Sequence, residues 1–168
     1  AMSKKILITY ATKAGSTAEI AGRIADTLQE RGHIVDLLSI DQVKNPDGYD
    51  TIILGSAARA GSVLPEVTTF VNRNQTILQE VNFHMFLVCM TLKEDTEDNR
   101  KIVSGYLQPI REMIDPDCEG LFAGVMDYSK LNFFEKMLAK ALKAPEGDFR
   151  KWDQIITWAE EVAQRMPA

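Results

Sequence analysis

Residues 5–32 read KILITYATKAGSTAEIAGRIADTLQERG. Lys5–Tyr10 is an apolar run with β-favouring residues. From Thr17 to Arg31 the spacing becomes helical, with Ile20, Ile24 and Leu28 four apart on one face. Gly32 follows as a stop signal. A strand therefore passes through a hydroxyl-rich loop straight into a helix, and the same alternation continues along the chain. HIVDLLSI (33–40) reads as a second strand, and KNPDGYD (44–50) as a turn. TIILG (51–55) is short and continuously apolar, as strands buried on both faces of a parallel sheet are. Pro65 opens a helix that runs to about Gln79.

HMFLVCMTL (84–92) reads as a fourth strand. EDTEDNR (94–100) begins a helix carrying Ile102, Val103, Tyr106, Leu107 and Ile110, which Pro109 kinks or shortens. GLFAGVM (120–126) is a fifth strand, Lys130–Lys143 a basic amphipathic stretch, and Phe149–Gln164 the last helix after the break at KAPEGD (143–148). The expected fold is α/β: one domain over residues 1–168, with a doubly wound, five-stranded parallel sheet between two helical layers. Ligands of such sheets bind beyond the carboxyl ends of the strands, at the topological switch point. The loop after the first strand lies there.

Composition narrows the function. No apolar run approaches the roughly 18–20 residues of a membrane-spanning helix, and KKILITYA is too short for a signal peptide. A net charge of −5 argues against a general nucleic-acid binder. Cys89 and Cys118 form no C-x-x-C pair, and neither His33 nor His84 lies beside a cysteine, so no zinc or haem site is expected. A reducing, cytoplasmic setting is the expectation.

The loop itself fits none of three common patterns. A P-loop needs a lysine where Ser16 follows Gly15, and a dinucleotide fingerprint needs more than one glycine. A receiver domain needs an aspartate where the third strand ends in Gly55-Ser56. The pattern [ST]-x-x-G-x-T does fit, as Thr12, Lys13, Ala14, Gly15, Ser16 and Thr17. Backbone N–H groups at a helix N-terminus surround an anion, and the hydroxyls add donors, which suits a terminal phosphate monoester. The alternative is a plain N-cap by Ser16 or Thr17.

With these residues in place, the chain resembles the flavodoxin-like family over nearly its whole length. TYATKAGSTAEIA (9–21) looks like the family's FMN phosphate loop. YDTIILGSAARAGSVLPEVTTFV (49–71) and FLVCMTLKEDTEDNR (86–100) look like its second and third flavin loops. The segment Gly55–Gly61, with Arg59 inside it, FFEKML (133–138) and RKWDQI (150–155) are similar to the branch that contains menaquinone-dependent protoporphyrinogen IX dehydrogenase. The resemblance implies strand order 2-1-3-4-5 and FMN, with its phosphate on Thr12–Thr17. It places the flavin ring between Ser56, Ala57, Ala58, Arg59, Ala60 and Gly61 on one side and Thr91, Leu92 and Lys93 on the other. FMN is expected rather than FAD because no second domain is available for an adenosine half.

One departure concerns aromatic residues. Many flavodoxins sandwich the flavin between rings from the second and third loops, whereas this chain offers Ala57, Ala58 and Ala60, then Met90, Thr91 and Leu92. An open ring face suits a substrate that stacks on the flavin. Arg59 is the candidate catalytic residue: beside the flavin's pyrimidine edge it would favour the anionic reduced form. Its alternative is an exposed arginine paired with Glu66 or water. Lys13 either neutralises phosphate or is solvated. Tyr128 either stacks in the site or is a surface aromatic. Cys89 reads as a core filler, and nothing near His84 suggests catalysis.

KLNFFEKMLAKALK (130–143) carries +3 on a chain whose other residues sum to −8. It is either a helix packed on the sheet with its lysines in water or a peripheral contact with the inner face of a membrane. Three functions remain in view. The first is an FMN oxidoreductase acting on a porphyrinogen or quinone. The second is an electron-carrier flavodoxin serving redox partner proteins, steered by Glu94, Asp95, Glu97 and Asp98. The third is a binding module without flavin.

Overall fold

The computed structural model describes residues 3–167. Five parallel strands lie in the order β2-β1-β3-β5-β6. They are β1 (Lys5–Ala11), β2 (Ile34–Ser39), β3 (Thr51–Arg59), β5 (Asn82–Val88) and β6 (Cys118–Phe122). The short β4 (Ser62–Val63) turns back on β3 as a hairpin. Counting only the long strands, this is the expected 2-1-3-4-5 sheet.

Period-two alternation in the central strands sorts side chains into two cores. Leu7, Ile52, Leu54, Met85 and Leu87 face one side, covered by α2 (Pro65–Arg73), α3 (Gln75–Glu80), α4 (Glu97–Gly105) and α5 (Gln108–Met113). Ile6, Ile8, Ile53, Phe86 and Val88 face the other, under α1 (Ser16–Glu30) and the last helix. All of these strand residues are buried.

Several boundaries differ from the sequence reading, each for a local reason. The helix from Pro65 breaks at Asn74, whose Nδ2 donates to Phe70 O (2.8 Å) and closes the turn. The fourth long strand stops at Val88, because Cys89 N–H donates to Phe122 O and Leu92 N–H folds back to Cys89 O. Met90–Lys93 is a 3₁₀ turn rather than strand. The helix begun by Glu97 is interrupted at Tyr106-Leu107, and Pro109 lies in the first turn of α5 beyond the break.

The fifth long strand ends at Phe122. Beyond it, β7 (Val125–Met126) pairs antiparallel with β8 (Gly147–Asp148) in a separate small sheet. Between them the chain makes an excursion that carries a 3₁₀ turn (Tyr128–Lys130) and α6 (Phe133–Ala141). The last helix, α7 (Trp152–Gln164), begins three residues later than Phe149.

The row across β3, β5 and β6 pairs Gly55 with Phe86 and Phe86 with Gly120. A Cβ on Gly55 would lie 2.1 Å from Phe86 Cζ. A Cβ on Gly120 would lie 2.8–2.9 Å from Phe122 and Trp158. The Phe86, Phe122 and Trp158 rings meet at 5.8–6.1 Å between centroids in tilted or edge-on pairs. Two glycines thus make room for one buried aromatic cluster under α7.

His84 is fully buried in β5. Cys118 N–H donates to its Nδ1 (3.1 Å), so the proton is on Nε2, which donates to Asn82 Oδ1 (2.5 Å). His84, Asp117 and Cys118 converge, but both ring nitrogens already have partners within the protein. Burial pushes His84 down to about 4 and the Cys118 thiol up to about 11.

Two outcomes follow from this core. Gly55→Ala lowers stability by at least about 2 kcal/mol, read as a lower urea midpoint with unchanged slope, and Phe86→Leu in the same chain recovers part of the loss. If Gly55→Ala alone leaves the midpoint unmoved, the close packing is not as described. His84 stays neutral in the folded protein down to about 4, whereas in the unfolded chain it protonates near 6.5. The unfolded state therefore binds more protons in this window, and stability falls as pH drops through it, by up to about 3 kcal/mol. Urea unfolding across that range checks this against His84→Gln, whose profile loses the corresponding slope.

Candidate functional site

The carboxyl ends of β1, β3 and β5 open on one cleft of about 310 Å³. Thr12, Lys13, Ala14 and Ser16 line it from the loop after β1. Ala57, Ala58, Arg59, Ala60 and Gly61 line it from the β3–β4 hairpin, and Val88, Cys89, Met90 and Thr91 from the end of β5. Three loops distant in sequence therefore meet because their strands are neighbours in the sheet.

The first loop leaves hydrogen-bond donors open at the start of α1. Gly15 adopts φ 92°, a left-handed turn that a side chain would strain. Its N–H donates to Thr12 Oγ1 at 2.9 Å. No side chain caps α1, so the N-cap reading of Ser16 and Thr17 is overturned. The N–H groups of Ser16, Thr17 and Ala18 are left open among the described residues. Thr17 is fully buried, and its Oγ1 has no partner. A Cβ on Gly15 would meet Lys130 Nζ at 3.9 Å, which brings an ammonium group from the excursion over the loop. Open first-turn donors, a hydroxyl without a partner and two nearby lysines fit a phosphate monoester.

The second loop turns through Ala60 (φ 51°) and Gly61 (φ 77°), both left-handed, between paired Arg59 and Ser62. Positive φ at both central residues marks a two-residue type I′ hairpin. Ser56 does not face the cleft. It is fully buried, its hydroxyl donates to Ala57 O, and Leu64 N–H donates to it, which closes the base of the hairpin. Arg59 is exposed on the cleft wall and makes no ion pair among the described residues, with Glu66 or any other carboxylate.

The third loop is clamped. Asn99 Nδ2 donates to Thr91 O and Glu94 O, and Thr96 caps α4 by accepting from Asn99 N–H. Asp95 accepts from Arg100 at 2.6 Å and also faces Lys151 and Gln154. The Arg100 hydrogen bond, ahead of the other partners, holds its carboxyl down at about 2. Thr91 reaches the cleft, whereas Leu92 is buried in the core and Lys93 is exposed and does not line the cleft.

The remaining walls were not read from the sequence as part of a site. Tyr106, at the end of α4, is the one aromatic residue on the cleft among the described residues, and a Cβ on Gly61 would lie 3.7 Å from its ring. Gly124 supplies part of the floor. A Cβ there would meet Val88 Cγ1 at 2.8 Å and Ser16 Oγ at 3.3 Å. Val125, Met126, Asp127, Leu131 and Glu135 form a side wall from the excursion. Tyr128 does not line the cleft: its hydroxyl donates to Ala144 O and its N–H to Glu146, which ties the two arms of the excursion together.

Comparison with known proteins agrees with this architecture. A family model described as a flavodoxin domain matches residues 7–153. Protoporphyrinogen IX dehydrogenase [quinone] of Escherichia coli (strain K12) is 25% identical over 173 aligned positions, covering 95% of this chain and 94% of the relative. Among solved structures, oxidised flavodoxin 1 of Bacillus cereus superposes with a TM-score of 0.62 at 14% identity, covering 97% of this chain and 99% of that one. A Fusobacterium nucleatum flavodoxin bound to flavin mononucleotide gives 0.55 at 14% identity, over 98% and 99% of the two chains. The chain belongs to the flavodoxin family.

Proposed function

We propose that this member of the flavodoxin family binds FMN in the cleft and works as an electron-transfer oxidoreductase, with a protoporphyrinogen as electron donor and a quinone as acceptor. The observation that carries the flavin assignment is the open first turn of α1, facing the same cleft as the loops after β3 and β5. The bound flavin supplies reversible one- or two-electron transfer. The rest is the work of this chain's residues.

Thr12, Ser16 and the N–H groups of the first turn hold the terminal phosphate, with Lys13 and Lys130 as counter-charge. Tyr106 offers an aromatic face beside the β3–β4 hairpin, while Ala57, Ala58 and Ala60 keep that hairpin's wall shallow enough for a planar substrate. Arg59, without a carboxylate partner among the described residues, puts positive charge on the wall and favours the negative charge that reduction adds. The substrate pair is suggested by the activity in the name of the E. coli relative. A second reading, a carrier serving redox proteins, is favoured by Glu94 and Asp98, exposed and without salt bridges beside the third loop. Their neighbours Asp95 and Glu97 are already paired.

Anaerobic turnover of protoporphyrinogen IX with a menaquinone analogue tests the enzyme directly. No turnover, together with rapid electron exchange with a ferredoxin-type reductase, makes it a carrier. FMN titration of the flavin-free protein tests the phosphate site. Lys130→Ala weakens FMN about three- to tenfold and leaves riboflavin, which lacks the phosphate, unchanged. Equal losses for both ligands would remove Lys130 from the phosphate site. Arg59→Ala lowers the flavin midpoint potential by roughly 20–40 mV for a two-electron couple, the equivalent of about 1–2 kcal/mol. An unchanged or raised potential rejects the electrostatic role.

A further inference from the structure

Helix α6 is amphipathic, yet it is turned inside out. Phe133, Phe134, Met137, Leu138 and Leu142 are 71%, 80%, 55%, 61% and 72% exposed. At roughly 100° per residue these positions, with Ala141, sweep about half the helix circumference. The half that faces the protein carries Glu135, Lys136 and Ala139, and only Ala139 is buried. The expectation of a helix packed on the sheet by its apolar stripe therefore fails. The stripe faces solvent.

The helix is held by its ends rather than by packing. Asn132 Oδ1 accepts from Glu135 N–H (2.8 Å), and Glu135 Oε1 accepts in return from Asn132 N–H (3.4 Å). At the other end Lys143 turns left-handed (φ 54°), and Ala144 N–H reaches back to Ala139 O (2.9 Å). A nine-residue helix is marginal alone in water. Its apolar half is the largest group of exposed hydrophobic side chains in the described structure.

We propose that α6 is a membrane-docking helix that seats the protein on an anionic bilayer, with Phe133, Phe134, Met137, Leu138 and Leu142 entering the boundary between headgroups and acyl chains. Charge selects this occupant. Lys130, Lys136, Lys140 and Lys143 give residues 130–143 a charge of +3, while the rest of the chain carries −8. The acidic body is repelled by an anionic surface, so only this segment can lead the approach. Lysine stems beside an apolar stripe reach headgroup phosphates while the stripe is buried. No helix among the described residues is long and apolar enough to cross a membrane, so the contact is with the surface. Leu131 and Glu135 line the cleft, so docking places the cleft mouth beside the bilayer. The proposal rests on the exposed face and does not depend on the flavin assignment.

Vesicle flotation of the full chain tests it, with vesicles of phosphatidylcholine alone or with about 30 mol% phosphatidylserine. The protein floats with the anionic vesicles, and the lipid concentration for half-binding is at least about tenfold higher for neutral vesicles or in high salt. The triple substitution Phe133→Ser, Phe134→Ser, Leu138→Ser abolishes flotation while the urea midpoint and FMN titration stay as in the parent. Lys140→Glu with Lys143→Glu removes the preference for anionic lipid. Absence of flotation overturns the proposal, as does flotation that survives the serine substitutions. So does a concentration-dependent dimer, lost in the serine variant and indifferent to lipid, which assigns the face to a second copy of the chain.

Discussion

The architecture turns on one packing constraint: the Phe86 ring occupies the space that a side chain on Gly55 would fill, and the Phe122 and Trp158 rings occupy that of one on Gly120. β3, β5 and β6 are neighbours in a parallel ladder, and an aromatic on the middle strand needs room on both sides. The two glycines make room for the cluster that Phe86 forms with Phe122, two residues along β6 from Gly120, and with Trp158 of α7. The consequence reaches the cleft. Two residues beyond Phe86, Val88 ends β5, and Val88 is the atom group against which Gly124 packs to form the cleft floor.

The excursion from residue 125 to 148 is held to this frame by Arg150. One guanidinium nitrogen bonds Asp148 at 2.7 Å, another lies 3.3 Å from Glu19 in the first turn of α1, and the group stacks 4.6 Å from the Trp152 ring. The Arg150 hydrogen bonds keep the Asp148 carboxyl below its ordinary range. A single arginine thus ties the base of the excursion to the first turn of α1, beside the cleft. Lys130 makes the reciprocal contact from the excursion back over Gly15. The first turn of α1 and the base of the excursion that carries α6 are thus connected through Arg150.

The sheet was legible because each central strand is a short apolar run bounded by turn residues, and each crossover helix shows its period. The hydroxyl-rich loop was legible because its position after the first strand coincides with the switch point. What escaped was mostly a matter of direction. Tyr106 sits in the same helical stripe as Val103 and Leu107, so its spacing marks it as core, yet the helix break before Pro109 swings it onto the cleft. Ser56 has the chemistry of a site residue, but its place in β3 points it into the hairpin base. The stripe of α6 was read as a stripe. Periodicity gives its existence and width but carries no sign, so it says nothing of whether the apolar half faces the protein.

Ala60 shows how the cleft weighs on local backbone choice. A type I′ turn is best made by Asn-Gly or Gly-Gly, and an alanine at φ 51° bears a left-handed strain of order 1–2 kcal/mol. The second turn residue, Gly61, follows the rule, and its missing side chain lets the Tyr106 ring lie close. Asparagine at 60 would relieve the turn but would push a polar amide beside the Ala57 and Ala58 methyl groups. A methyl keeps that wall shallow and apolar, and the strain is tolerated because Ser56 fixes both strands of the hairpin from beneath. The residue that is poorer for the turn is therefore the one that leaves the cleft open at this wall.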